Sequence, residues 1–317
     1  MNQVIPQISD QIYKEDTIAI FEKAYSAIGP VWMNHQIEWM NNVYSAFKDH
    51  DKFLIIIYLT KKTLDFYSRN FTKLSYDQFY EKDTIEIEKF NIVEISINLN
   101  IPKESARRKI LELEKNGIIK KFKKKIIIDR SAFKFIKPIK SVVRMSRFLS
   151  LLSEMLVKEK ILKKKFSSTE LEKTIKDNFT YVWKVYYELQ IPMLIKYNEV
   201  FEDLENFHIF GTCVQNQHLN QNDLTVTVNR IKFLRSNLLD VRIQGLNAMS
   251  ISDITGIPRA TVVRKLKKLV KKNFLAINEK KHYTLTKNLI KKLMPVQKKI
   301  LDQLADFSTK VYNLTKL

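Results

Sequence analysis

Five glycines in 317 residues are too few for a Gly-rich phosphate-binding loop architecture or for a sheet of many tight hairpins, which draw on glycine's freedom at positive φ. One cysteine, Cys213, excludes an intramolecular disulfide; its apolar neighbours suggest a buried, inert thiol in a reducing compartment. The five histidines are His35, His50, His208, His218 and His282. None has the close spacing to another histidine or to Cys213 that zinc ligands need, so each reads as structural and no metal is expected. Nucleophile elbows and zinc-protease helices are also missing, so neither an enzyme nor a cofactor is expected. Long apolar runs are absent: the longest, Phe53 to Leu59, falls far short of the ~20 residues a spanning helix needs. The first residues, MNQVIPQISDQIYKED, show no basic segment followed by an apolar one. The expectation is a cytoplasmic protein with no membrane partner.

Cations are abundant. Lysine and arginine total 55 against 34 carboxylates, a formal charge of +21, and such a surplus favours a polyanionic partner. An AT-rich coding sequence would enrich lysine throughout, but it does not explain why the basic residues gather at one repeated signature. Hydrophobic content of 45% is enough for packed cores. The length suggests about two domains of roughly 150 residues.

The signature occurs twice. The first copy, IPKESARRKILELEKNGII, runs from Ile101 to Ile119; the second, IPRATVVRKLKKLVKKNFL, runs from Ile257 to Leu275, 156 positions later. A short segment precedes each copy, Ile92 to Leu99 and Ile243 to Gly256. Asn100-Ile101-Pro102 and Ile257-Pro258 are the turns, and Pro102 suits a helix start, where its missing N–H costs nothing. Helices are expected at Lys103 to Lys115, with Ala106, Ile110 and Leu113 inward, and at Arg259 to Lys272, with Val262, Leu266 and Leu269 inward. Asn116-Gly117 ends the first. Two short strands follow in each copy, within Ile118 to Asp129 and within Leu275 to Thr286.

The order helix, turn, helix, basic hairpin suits entry into a duplex groove. Arginine can bridge guanine O6 and N7, and a helix start can hold phosphate. The candidate DNA-binding residues are Lys103, Ser105, Arg107, Arg108, Lys109, Lys123, Lys124 and Lys125 in the first copy. In the second they are Arg259, Thr261, Arg264, Lys265, Lys268, Lys280 and Lys281. Arg259, Thr261, Arg264 and Lys265 are expected on the face away from Val262 and Leu266. Glu104, Glu112 and Glu114 lower the charge of the first helix.

At these residues the chain resembles the winged helix-turn-helix transcription regulators of bacteria, and is similar in element order to the MarR-type regulators at superfamily level. The resemblance spans both signature blocks and, more weakly, the helices around them. It implies transcription control, a nucleoid-associated location and long closing helices that dimerise. The first wing is short here, and neither wing carries the family's Asp-Arg pair.

The expected fold is mainly α with small β wings: two tandem winged helix-turn-helix units embedded in helical bundles and related by a pseudo-two-fold. Residues 1–135 would hold leading helices and the first unit (about 90–130). Residues 136–166 would be a connecting helix with a basic boundary, and 167–317 would hold the second unit (about 243–286) and a closing helix. Two further details belong to the leading helices. Gly29-Pro30 is expected to stop a helix over Thr17 to Ala27. VYSAFKDHDKFLII can be laid against YNEVFEDLENFHIF, which aligns Asp49/Asp51 with Asp203/Glu205; these acids read as helix-end solvation.

Phe135, Val142, Leu149 and Leu156, and Leu293, Ile300, Phe307 and Leu314, recur every seven residues. These seams could pair within the chain or form a homodimer, and internal pairing is favoured. Trp32, Trp39, Trp183, Tyr181, Tyr186 and Tyr187 read as core rather than as the lining of an effector pocket, so a small-molecule effector has no support. The functional expectation is a sequence-specific regulator binding double-stranded DNA. Two alternatives remain: a plasmid-type replication initiator or architectural DNA-binding protein, and a winged-helix interaction module without specific DNA binding.

Overall fold

The computed structural model describes residues 11–87, 91–122, 125–131, 137–219, 227–237, 239 and 244–315. It is mainly helical, with two small antiparallel sheets. The elements are α1 (Lys14–Lys23), α2 (Tyr25–Phe47), α3 (His50–Arg69), α4 (Tyr76–Glu81), β1 (Thr84–Ile87), α5 (Ile92–Leu99), α6 (Lys103–Lys115), β2 (Ile119–Phe122) and β3 (Lys125–Asp129). They continue with α7 (Ile139–Lys158), α8 (Ser168–Asp177), α9 (Phe179–Phe201), α10 (Leu204–Leu219) and the single turn α11 (Arg230–Lys232). The last are α12 (Ala248–Thr255), α13 (Arg259–Lys271), β4 (Leu275–Ile277), β5 (Tyr283–Leu285) and α14 (Asn288–Leu314). Among the described residues, no helix is long and apolar enough to cross a membrane.

Two compact units are present, each assembled from separated stretches of chain. The larger comprises Met1–Asn41, Lys140–Thr174 and Tyr197–Leu317; the smaller comprises Asn42–Ile139 and Ile175–Lys196. This departs from the contiguous 1–135, 136–166 and 167–317 division. In the larger unit the first described helix packs on the last: α1 lies along α14. The Thr17 and Thr309 hydroxyls are 3.0 Å apart, and the Asn313 amide exchanges two hydrogen bonds with the Ile12 backbone. Phe21 stacks on Phe148 of α7, and the Tyr312 hydroxyl donates to the Leu149 carbonyl. Val142, Leu149, Leu156, Leu293, Ile300 and Phe307 are buried within this unit and Leu314 is half-buried, while Phe135 lies outside the described residues. The N-terminal stretch thus shares a core with the C-terminal half, and its contacts with α7 and α14 take apolar surface out of water.

In the smaller unit, Phe179 sits among the rings of Tyr76, Phe79 and Tyr80. Thr180 exchanges hydrogen bonds with the Leu74 backbone. Strand β1, unforeseen in the sequence, pairs with β3 to make a sheet of order β1-β3-β2. Strands β2 and β3 have four and five residues, and β4 and β5 three each. Leu246 makes a single bridge to Tyr283 beside the β4–β5 ladder.

Helix α2 continues through Gly29-Pro30, where a stop was expected. The break comes earlier, at Ala24. Pro30 is then the sixth residue of α2, and the carbonyl it leaves without an intrahelical donor is that of Ser26, in the first turn. Gly29 has a packing role: a Cβ there would lie 2.6 Å from the Tyr25 ring. Gly211 lets α10 approach α2, because a Cβ would meet Ile37 at 2.3 Å. Two of the five glycines thus serve close packing inside helices, not turns.

Candidate nucleic-acid interface

Each signature folds into the same local structure. Helices α5 and α12 begin at Asn91 and Asn247, whose side-chain oxygens accept from Val93 N–H, and from Met249 and Ser250 N–H, respectively. They end at Asn100 (φ 52°) and Gly256 (φ 69°), both left-handed. Ser96 Oγ donates to Ile101 O at 2.7 Å, and Ser252 Oγ to Ile257 O at 2.7 Å. Pro102 and Pro258 share φ −53° and ψ 134° and open α6 and α13. The exits match as well: Ile118 N–H donates to Leu113 O, and Phe274 N–H to Leu269 O. The 156-residue offset therefore recurs in caps, turns and dihedrals as well as in letters.

The inner stripes are Ala106, Ile110 and Leu113, and Val262, Leu266 and Leu269, all fully buried or within 1% of it. Helix α6 packs on α3, α5 and β2; α13 packs on α10, α12 and β4. The backs of both helices are fixed, so their other faces point to solvent.

Two candidate residues do not face solvent. Lys109 and Lys265 stand three residues after Ala106 and Val262 and one before Ile110 and Leu266, so helical spacing puts them on the inner stripe. Their side chains are 12% and 7% exposed. Lys109 Nζ lies 2.5 Å from Asp49 and 3.3 Å from Asp51. Lys265 Nζ lies 2.6 Å from Asp203 and 3.1 Å from Glu205. Burial alone would lower the Lys109 pKa, but the bonds to Asp49 and Asp51 outweigh it and hold the ammonium above the ordinary lysine range. The acids read as helix-end solvation are half of a duplicated clamp, which ties each signature helix to the start of α3 or α10. Asp49 also caps α3 by accepting from Asp51 and Lys52 N–H. A signal for the clamp existed in the sequence: two acids and a lysine recur at almost the same separation in both copies.

The remaining candidates face outward. Arg259, Arg264, Lys268, Lys280 and Lys281 are exposed and Thr261 is half-buried. Arg259, Arg264, Lys267, Lys268 and Lys271 make no ion pair among the described residues. The first copy differs. Lys103 is exposed and Ser105 half-buried, but Arg107 lies 3.8 Å from Glu104 and Arg108, 71% exposed, lies 4.0 Å from Glu112. Lys120 pairs with Asp129, Lys121 with Glu114, and exposed Lys125 with Glu86 of β1. Lys123 and Lys124 lie outside the described residues. Residues 101–122 carry seven cations against three carboxylates, +4; residues 257–278 carry seven cations and no carboxylate, +7. Lys265 and Lys272 of the second set pair with acids outside it, Asp203, Glu205 and Glu202, but its other five cations make no ion pair among the described residues, so the second helix has the stronger uncompensated field.

No family model, curated protein or solved structure matches this chain.

The other singled-out residues lie elsewhere. Trp39, Trp183, Tyr186 and Tyr187 are buried, and Trp183 packs against Phe179 and Tyr186. Trp32 lines a cavity of about 30 Å³ with Tyr25, Gln36 and Gln297, room for one or two waters. Tyr181 borders a hollow of about 200 Å³ with Leu64, Phe71 and Thr180. Burial pushes the Cys213 thiol up to about 12, which makes it inert at neutral pH. Among the described residues, no three His, Cys, Asp or Glu side chains are grouped to hold a metal ion.

Proposed function

We propose that the chain is a sequence-specific regulator of transcription that binds double-stranded DNA through two winged helix-turn-helix units on one polypeptide, in the cytoplasm and on the nucleoid. The observation that carries this reading is the second signature helix. Its back is buried against α10 and α12, its lysine is clamped, and Arg259 and Arg264 are displayed without a carboxylate partner among the described residues. A helix fixed in this way can offer arginine forks to base edges at little entropic cost. The hairpins after α6 and α13 take the part of wings. The resemblance to MarR-type regulators belongs to this proposal, and the matching caps and turns of the two copies support an internal duplication.

Two expected results follow. Arg264→Ala weakens binding to a preferred duplex by roughly 10- to 100-fold, the worth of one bidentate base contact, while binding to random duplex falls far less. Equal losses on both would mean that Arg264 touches only phosphate. Replacing Lys267, Lys268 and Lys271 together with Gln flattens the slope of log K against log salt concentration by up to ~2.7, because each phosphate contact contributes ~0.9. The same change at Lys120, Lys121 and Lys125, already paired with carboxylates, moves the slope less. Titrations of both triple variants against one labelled duplex at four salt concentrations decide the comparison.

Genome-wide occupancy of the tagged protein tests the reading as a whole. A few strong sites near promoters support it. Iterated sites at a single locus would instead mark a replication initiator, and binding without sequence preference an architectural protein.

A further inference from the structure

The outward stripe of each signature helix holds its second, fifth, sixth and ninth residues. In α6 these are Glu104, Arg107, Arg108 and Leu111; in α13 they are Ala260, Arg264 and Lys267, with half-buried Val263 at the edge of the stripe. The sixth residue is arginine in both. The others differ, and the apolar residue changes sides: Val263 precedes Arg264 by one residue, whereas Leu111 follows Arg108 by three. Leu111 is 53% exposed although its helix already buries Ala106, Ile110 and Leu113. A lone exposed leucine is ordinary on a protein surface. This one occupies the stripe that carries Arg108, at the position where the other copy has exposed Lys267.

In the major groove the thymine 5-methyl group is the apolar feature of the base edges, and apolar side chains read it. We infer that the two helices read unlike half-sites: Arg108 and Arg264 make the same guanine contact, but Leu111 covers a thymine methyl on the C-terminal side of that contact. At the equivalent position in the second copy, Lys267 takes a phosphate, and Val263 meets its methyl group on the N-terminal side. This rests on the DNA-binding reading above. It makes the preferred duplex asymmetric even though the two units share their fold.

The test begins by enriching a preferred site from a random duplex pool with the full chain. Each thymine of that site is then replaced by deoxyuridine, which keeps base pairing and removes only the methyl group. One replacement should weaken binding about fourfold, the worth of one buried methyl group, and that sensitivity should vanish in Leu111→Lys. Lys267→Leu should create a new deoxyuridine-sensitive position and flatten the salt slope by about 0.9. Both side chains are exposed, so unchanged melting temperatures are expected and would show that the variants fold. If a site is enriched but no deoxyuridine effect depends on Leu111, the inference fails while DNA reading stands. If no duplex is enriched over the pool, both readings fail.

Discussion

Lys265→Ala is expected to destabilise the larger unit by ~2–3 kcal/mol. Removing one partner of a fully buried ion pair costs about 3–5 kcal/mol. Here Asp203 and Glu205 keep 34% and 28% exposure, so water recovers part of that cost. The loss corresponds to a fall of roughly 5–10 °C in melting temperature. Lys265→Met keeps the aliphatic stem and removes the charge, which separates packing from electrostatics. In a double-mutant cycle with Asp203→Asn, we expect coupling well above the ~0.5 kcal/mol seen for independent sites. Additive losses would remove the clamp from the account. Because the lysine points away from solvent, Lys265→Met should reduce preference for the enriched duplex, through a loosened α13, while leaving the salt slope unchanged. Lys109→Met should behave alike in the smaller unit. Its folded pKa is raised, so the Lys109 contribution is complete at neutral pH and is lost only as pH rises through that raised value.

Acidification provides the second large effect. His35 is 1% exposed, its ring 5.2 Å from that of Trp32. Burial, and then the nearby Arg144 charge, lower its pKa to about 3 from the ordinary 6.5. The folded state keeps the imidazole neutral while the unfolded chain takes up a proton. Stability therefore falls as pH drops below 6.5, by ~1.4 kcal/mol per unit, and this contribution levels off below about 3. Urea midpoints at pH 7, 6 and 5 for the parent and for His35→Phe should diverge on this schedule, with the variant flatter. Parallel curves would show that His35 does not carry the acid response. Carboxylates paired with lysine add their own acid loss at lower pH, as for Glu112, whose pKa is lowered chiefly by Lys52.

Legibility of the sequence followed the range of the forces involved. Pro102, Pro258 and the Asn116-Gly117 pair act within one helical turn, and α6 ends at Lys115 as its residues predict, with α13 within a residue of its expected end. The same spacing rule could have placed Lys109 and Lys265 on the inner stripe. Charge alone places a basic side chain on the surface, and the partners that hold these two inward lie 60 and 62 residues earlier. Gly29-Pro30 has the letters of a helix stop. The Tyr25 ring resting on Gly29 and a helix start at Tyr25 make it helix interior.

Local chemistry thus determined the duplicated helix-turn-helix-hairpin order, its cationic helices and the buried stripe behind each, because capping, periodicity and turn residues act over a few positions. Only tertiary structure decided which stretches share a core, that β1 joins β3, and that two acid pairs hold two lysines. Those outcomes depend on surfaces far apart in the chain finding one another. Apart from the repeated spacing of the acids and the lysine, such contacts leave no mark in the letters until both of their sides are known.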